Sequence, residues 1–577
     1  MSKLLVYLKD YKRESVLGPF FKLLEALFEL FVPIVMASII DVGIAKRDTS
    51  HIYRMCGLMI LLGIIGLVCS ITAQYFAAKA ATGFGTQLRN ALFTHIQTLS
   101  FSKMDVVGTS TMITRMTSDI NQVQSGVNLV LRLFLRSPFI VMGAMIMAFT
   151  IDVKAALIFV VIIPILSIVV FGIMFASIPL YKKVQGSLDR VLNTVRENLT
   201  GVRVIRAFAK EEQEMERFDH DNEELTKIQM YVGRISALMN PFTYIIINSG
   251  IIALVWVGAL RVDGGYLTQG AIVALVNYMS QILVELIKLA NLIISVNKAV
   301  ACGNRVQDIF EIHSDIVDDA KEHEEREDAP AVTFDQVCLT YEGAGDESLH
   351  DINFKAMRGQ TIGIIGGTGS GKSSLINLIP RFYEATKGEI RINGVSLKDY
   401  SIEELRAKIG VVLQKSVLFK GTIKENLLWG NESASDEELH EAIVKAQAKE
   451  FVEQKENGID TLIEQSGRNL SGGQKQRLTI ARALVRKPEI LILDDSTSAL
   501  DFATDAALRE QLRKMSDQMT VFLVSQRASS IQYADQILVL DDGELVGSGT
   551  HEELLSNCSV YQEIYYSQFE KEVATNE

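Results

Sequence analysis

Six apolar stretches ahead of about residue 300 constrain this chain more than any other feature. They cover residues 16–40, 57–78, 127–150, 155–180, 242–260 and 269–296. Each reaches the roughly 20 residues that a helix needs to cross the hydrocarbon core of a bilayer. No water enters that core to pair with backbone N–H and C=O groups, so such runs must close their hydrogen bonds internally, as helices. Three of them carry charge inside the apolar run. The first holds Lys22, Glu25 and Glu29, the third Arg132 and Arg136, and the sixth Glu285 and Lys288.

The links between the runs alternate in length. Residues 41–56, 151–154 and 261–268 make short connections. Residues 79–126 and 181–241 make long ones, polar, rich in helix formers and without proline before Pro241. The long links read as helices that continue past the bilayer on one side. Lys182, Lys183, Arg190, Arg196, Arg203, Arg206 and Lys210 crowd the second of them. Lys and Arg stay preferentially on the cytoplasmic side, so both long links are expected there. Lys46, Arg47 and Arg54 run mildly against that assignment. Six crossings then leave both termini in the cytoplasm of a multi-pass protein of the cell membrane. Residues 1–15 read as a short amphipathic elbow helix on the membrane surface.

At 577 residues the chain is too long for one core. Its net charge of −12 argues against a nucleic-acid partner. Cys56, Cys69, Cys302, Cys338 and Cys558 show no metal or redox spacing and read as free thiols. Residues 315–328 are strongly acidic and read as a solvated linker. Beyond them, short β-rich runs at 332–337, 389–392, 409–413, 490–493, 521–524 and 537–540 alternate with helical stretches. That alternation predicts an α/β domain with a largely parallel sheet. The expected division is an elbow at 1–15, a six-helix membrane domain at 16–312, a linker at 313–330 and an α/β domain at 331–577.

Within the α/β domain, Gly366, Gly367, Thr368, Gly369, Ser370, Gly371, Lys372 and Ser373 follow an apolar run and precede a helical one that opens at Ser374. This fits the phosphate-binding loop in its strand–loop–helix setting. Glycines let backbone N–H groups turn toward phosphate oxygens, and the helix start adds its positive dipole end. Lys372 is expected to reach the outer phosphates of ATP and Ser373 to ligate Mg²⁺. A second landmark, Leu470, Ser471, Gly472, Gly473 and Gln474, opens another helix with Ser471 as a plausible cap. About 20 residues later an apolar run ends at Asp494, a carboxylate suited to Mg²⁺.

Taken together these motifs resemble a half-transporter of the ATP-binding cassette (ABC) exporter family along almost the whole chain. The resemblance implies that Tyr341 stacks on adenine and that Gln414 contacts Mg²⁺. It makes residues 470–474 the family signature, and Ser498, Ala499, Leu500 and Asp501 the loop that crosses to a partner cassette. It also makes residues 101–120 and 198–214 the intracellular coupling links. Two cassettes would pair head to tail, each ATP lying between one phosphate loop and the other chain's signature. Two positions depart from the family pattern: Asp495 stands where the family carries a catalytic Glu, and Gln526 where it carries a His. Both departures beside an intact signature resemble the degenerate-site half of bacterial heterodimeric multidrug exporters of the LmrCD and EfrCD type. The implied partner is a second half-transporter that supplies the Glu and His, while Ser471 and Gly473 complete that partner's site. A homodimeric exporter, a lipid or peptide exporter, and a regulatory or sensor ATPase stay open. Glu25 and Glu29 share a helix face and could attract cationic drugs, or could snorkel or pair structurally. Phe134, Phe139, Met142, Phe171 and Met174 could line an adaptable cavity or pack.

Overall fold

The computed structural model describes residues 1–496, 499–515 and 519–569. They divide into two compact units. One comprises Met1–Gln97 and Ser110–Ile312, and the other Thr98–Thr109 together with the chain from His313 onward.

The first unit contains six helices long and apolar enough to cross a membrane: Lys3–Ile44, Thr49–Gln97, Thr109–Ile151, Val153–Thr200, Glu211–Asp263 and Gln269–Phe310. They run from 42 to 53 residues, about twice what a bilayer core requires. The long links of the sequence are therefore continuations of the spanning helices. At the N-terminus a 3₁₀ helix, Ser2–Tyr11, adjoins the helix Lys12–Ser38, with Tyr11 at the joint outside helical geometry (φ −111°, ψ 28°). Small residues such as Ala73, Ala77, Ala144, Ala148 and Ala155 are buried where helices meet, which lets backbones approach closely.

The charges inside the apolar runs are mostly paired. Lys22 holds Glu25 at 2.6 Å. Arg136 lies between Glu29 at 2.7 Å and Glu285 at 2.6 Å. Ser137 and Lys288 also donate to Glu285, at 2.8 and 2.9 Å. Glu25 and Glu29 are thus neutralised by neighbours, which removes the free carboxylates that the cation-attracting reading needs. Pairing is the physical reason, since an uncompensated carboxylate in hydrocarbon costs several kcal/mol.

The second unit is built on two sheets. A six-stranded sheet runs in the order Glu544–Gly549, Gln536–Asp541, Thr361–Gly366, Thr520–Val524, Ile490–Asp494 and Ile409–Val412. All its neighbours are parallel except the first pair. A separate antiparallel sheet holds Leu349–Ala356, Val332–Leu339, Lys387–Ile392 and Val395–Ser396. Two runs assigned to the parallel sheet, 332–337 and 389–392, belong to this second sheet. Strand length and β-propensity do not encode pairing direction, so the sequence alone did not separate them.

Residues 313–329 form no helix or strand and are exposed for most of their length, but Asp318, Lys321 and Glu325 make side-chain contacts with the α/β unit. Glu325 accepts from Lys408, Tyr400 and Asn393 at 2.9 to 3.0 Å. Lys321 pairs with Asp399 at 2.8 Å, and Asp318 accepts the Ile402 N–H at 2.9 Å. These contacts escape a local reading because the partners lie 68 to 84 residues on. The short helix Phe101–Val107 also belongs to this unit. Phe101 lies 4.7 Å from the Phe382 ring, and Lys103 pairs with Glu342 at 2.7 Å. The other expected coupling segment, 198–214, is a bend in the membrane unit around the helix Val202–Ala207.

Candidate functional site

Parallel strands leave their C-terminal ends on one edge of a sheet, and ligands of open α/β sheets bind in the crevice beyond it. Here that edge gathers the ends of four adjacent strands. Thr361–Gly366 runs into the glycine loop, and Ile490–Asp494 ends in Asp494 and Asp495. Thr520–Val524 leads to Ser525 and Gln526, and Ile409–Val412 leads to Gln414. Their cavity, about 440 Å³, is lined by Thr368, Gly369, Gly371, Lys372, Ser373, Ser374, Gln414, Asp494, Asp495 and Gln526.

The loop has the conformation its composition predicts. Gly369 and Gly371 take φ of 86° and 92°, the left-handed region that glycine enters without strain. Gly366 lies beneath, and a Cβ there would sit 2.1 Å from the Leu540 carbonyl oxygen. The helix Lys372–Leu378 starts directly after Gly371. Lys372 is buried, with Nζ donating to the carbonyls of Gly366 at 3.0 Å and Gly367 at 2.6 Å and to Ser370 Oγ at 3.3 Å. Ser373 Oγ donates to both oxygens of Asp494, at 3.1 and 3.2 Å.

The electrostatics of this cavity are unbalanced in an informative way. Burial pushes the Asp494 carboxyl up, the Asp495 charge pushes it further, and Ser373 and Lys372 offset only part. Burial also raises Asp495, against the Gln414 amide, Arg527 and Lys372. Burial lowers Lys372 despite both carboxylates. A hard divalent cation beside the carboxylates and a polyanion beside the ammonium would each relieve the strain. The donor set, hydroxyl, carboxylate and amide oxygen, suits Mg²⁺. The residues therefore fit a magnesium nucleotide.

Tyr341 stands next to the loop, its hydroxyl donating to Ser374 Oγ at 2.9 Å and its ring edge-on to Tyr383 at 5.1 Å. The signature lies apart: Leu470, Ser471, Gly472, Gly473 and Gln474 are not among the residues that line the cavity. Ser471 caps the helix Gly472–Val485 reciprocally with Gln474. The Ser471 hydroxyl accepts the Gln474 N–H at 3.3 Å, and the Ser471 N–H donates to Gln474 Oε1 at 3.0 Å. Ala499 packs on this helix start, its N–H donating to Gln476 at 3.2 Å. Asp501 caps the helix Phe502–Lys514, while Ser498 lies outside the described residues.

The sequence missed several contributors. Glu347, Ser348, Asp542 and Gly543 also line the cavity. Gln568 clamps the loop after Thr520–Val524, donating to the Gln526 carbonyl at 2.8 Å and accepting the Ala528 N–H at 2.9 Å. No local pattern marks them, because each arrives from a distant part of the chain.

Comparison with known proteins decides the family. Residues 15–286 match ABC transporter transmembrane regions, and residues 349–498 match the ABC transporter domain. An uncharacterized ABC transporter ATP-binding protein of Mycobacterium tuberculosis is 36% identical, with 97% of each chain covered. The chain belongs to the ABC transporter family. A putative multidrug export ATP-binding/permease protein of Bacillus subtilis is 30% identical to this ABC transporter over 98% of each chain. An ATP-dependent lipid A-core flippase of Syntrophus aciditrophicus is 32% identical over 89% of this chain and 85% of its own. In fold this ABC transporter is similar to a solved bacterial Atm1-family ABC exporter with ATP bound. The TM-score is 0.79 at 22% identity, covering 98% and 99% of the two chains. Its ABC domain binds ATP and couples hydrolysis to transport, and transporters of this family work as dimers within the bilayer.

Proposed function

We propose that this ABC transporter is an exporter and one half of a heterodimer, and that its own nucleotide site binds ATP but turns it over slowly. The observation that carries the reading is Asp495 and Gln526 beside an intact signature. The Asp495 carboxylate is one methylene nearer the backbone than a Glu would be, and Gln526 can donate a hydrogen bond but cannot carry a proton charge. ATP supplies the phosphoanhydride, and Mg²⁺ offsets the phosphate charge. Lys372 and the glycine loop bind the phosphates, with Ser373, Asp494 and Gln414 as the magnesium-side ligands and Tyr341 beside the base. Ser471 and Gly473 act in trans on the partner's working site, a reading that rests on the family resemblance of residues 470–474. Both termini and the cassette are cytoplasmic, and the protein resides in the cell membrane.

The solutes are hydrophobic drugs, a reading in line with the words multidrug export in the name of the Bacillus relative. A lipid is the second reading, favoured by the name of the Syntrophus relative. ATPase activity of the chain alone, beside the chain co-expressed with a Glu- and His-bearing half-transporter, tests the scheme. Low activity alone and high activity together is the expected result. Full activity of the chain alone would overturn the heterodimer and establish a homodimer.

A further inference from the structure

Four cations and three carboxylates lie inside the six apolar runs, so the balance is 4 − 3 = +1. Six of the seven groups are paired. Lys22 holds Glu25 at 2.6 Å, and Arg136 and Lys288 hold Glu29 and Glu285 at 2.6 to 2.9 Å. Arg132 is the seventh. Among the described residues it makes no ion pair and no hydrogen bond, and its Nε is buried without a partner.

The backbone around Arg132 is also irregular, as it is at Ile39–Ile44 and Arg115–Asp119. Arg132 sits within a π-helical turn, Val130–Phe134, between two regular helices. Such turns are rare and cluster at functional sites, because the inserted residue re-aims the side chains around it. Phe134 and Leu135 beside it are exposed and apolar. A guanidinium at membrane depth is too costly to stay uncompensated. Its planar fork matches a carboxylate or phosphate with two parallel N–H···O bonds.

We infer that Arg132 is the recognition site for one anionic group, carboxylate or phosphate, carried on a hydrophobic body. A cationic solute finds no free carboxylate here, since Glu25, Glu29 and Glu285 are already neutralised. Arg132 lies about 8 Å from the start of its apolar run at 1.5 Å per residue. With the long links cytoplasmic, that depth suits an amphiphile entering from the inner leaflet. The inference names the solute class of the exporter and rests on the reading that its membrane unit carries hydrophobic solutes. It does not depend on how the two nucleotide sites share hydrolysis.

Equilibrium binding to the full chain in phosphatidylcholine vesicles tests it. The probes are a pyrene-labelled long-chain fatty acid, its methyl ester and the corresponding amine. The wild type should bind the acid about tenfold more tightly than the ester or amine, the effect of a charged hydrogen-bonded pair. Arg132→Gln should erase that preference, and Arg132→Lys should keep part of it. Retained binding of a fluorescent ATP analogue verifies that each variant is folded. The wild-type comparison of acid with ester needs no variant at all. Equal binding of the three probes, or an acid preference that survives in Arg132→Gln, overturns the inference. Lost dimerisation of Arg132→Gln with the acid preference intact also overturns it, and assigns Arg132 to a carboxylate of the partner chain. Doping the vesicles with phosphatidylglycerol separates the sources of the anion. Competition with the acid supports occupancy by a lipid phosphate, and no competition supports a single-chain amphiphile. A failure here leaves the ATPase test of the heterodimer untouched.

Discussion

Asp495→Glu separates reach from backbone strain at the nucleotide site. Asp495 has φ of 44°, in the left-handed region, and its N–H donates to the Val524 carbonyl at 3.1 Å. That conformation costs a residue with a side chain roughly 1–2 kcal/mol, and Asp and Asn tolerate it best. Glutamate should therefore destabilise the cassette by about 1 kcal/mol, a fall in thermal midpoint of roughly 2–4 °C. The added methylene extends the carboxylate by at most about 1.5 Å. A misplacement of about 1 Å can cost on the order of a hundredfold in rate, so phosphate release at this site should rise ten- to a hundredfold. The assay is phosphate release from the full heterodimer with the partner's own catalytic Glu replaced by Gln, so that only this site reports. Thermal unfolding is followed in parallel. A midpoint that falls as expected while phosphate release stays flat would refute the argument, because the longer side chain would be seated without effect.

Three further outcomes follow from the same geometry. Burial alone would raise the Glu325 carboxyl, but Lys408, Tyr400 and Asn393 outweigh it and hold it below the ordinary 4.5. A carboxyl lowered on folding adds stability above its unfolded value and loses it as pH falls through the folded one. Glu325→Gln should therefore lower the cassette's midpoint near neutral pH and flatten its loss below about pH 4.5, read by thermal unfolding across that range. Ser471→Ala removes a reciprocal helix cap and should cost about 1 kcal/mol by denaturant titration. It should also lower ATPase of the heterodimer while this chain's own nucleotide affinity is unchanged. Glu285→Gln breaks a buried ion pair and should cost roughly 3–5 kcal/mol of membrane-unit stability, and a Glu285→Met/Arg136→Met double variant should regain much of it. Unfolding in mixed detergent micelles checks both.

The sequence by itself determined the features that rest on local chemistry. Six apolar runs demand six helices because hydrocarbon offers no hydrogen bonds. The loop from Gly366 to Ser373 declares itself because a tight anion cradle needs glycine at fixed offsets between a strand and a helix. Ser471 and Gln474 announce a helix start because a cap is a contact between near neighbours. Tertiary structure decided everything that joins distant residues. It set Thr520–Val524 between the strands ending at Gly366 and Asp494, and so brought Gln526 and Asp495 into one cavity. It moved 332–337 and 389–392 into an antiparallel sheet, and it laid the acidic segment around Glu325 against Lys408. It paired Glu29 with Arg136, 107 residues away, and among the described residues left the Arg132 Nε without a partner. A charge in a sequence has no partner until packing supplies one, and packing here depends on sheet order and helix contacts that no local window contains.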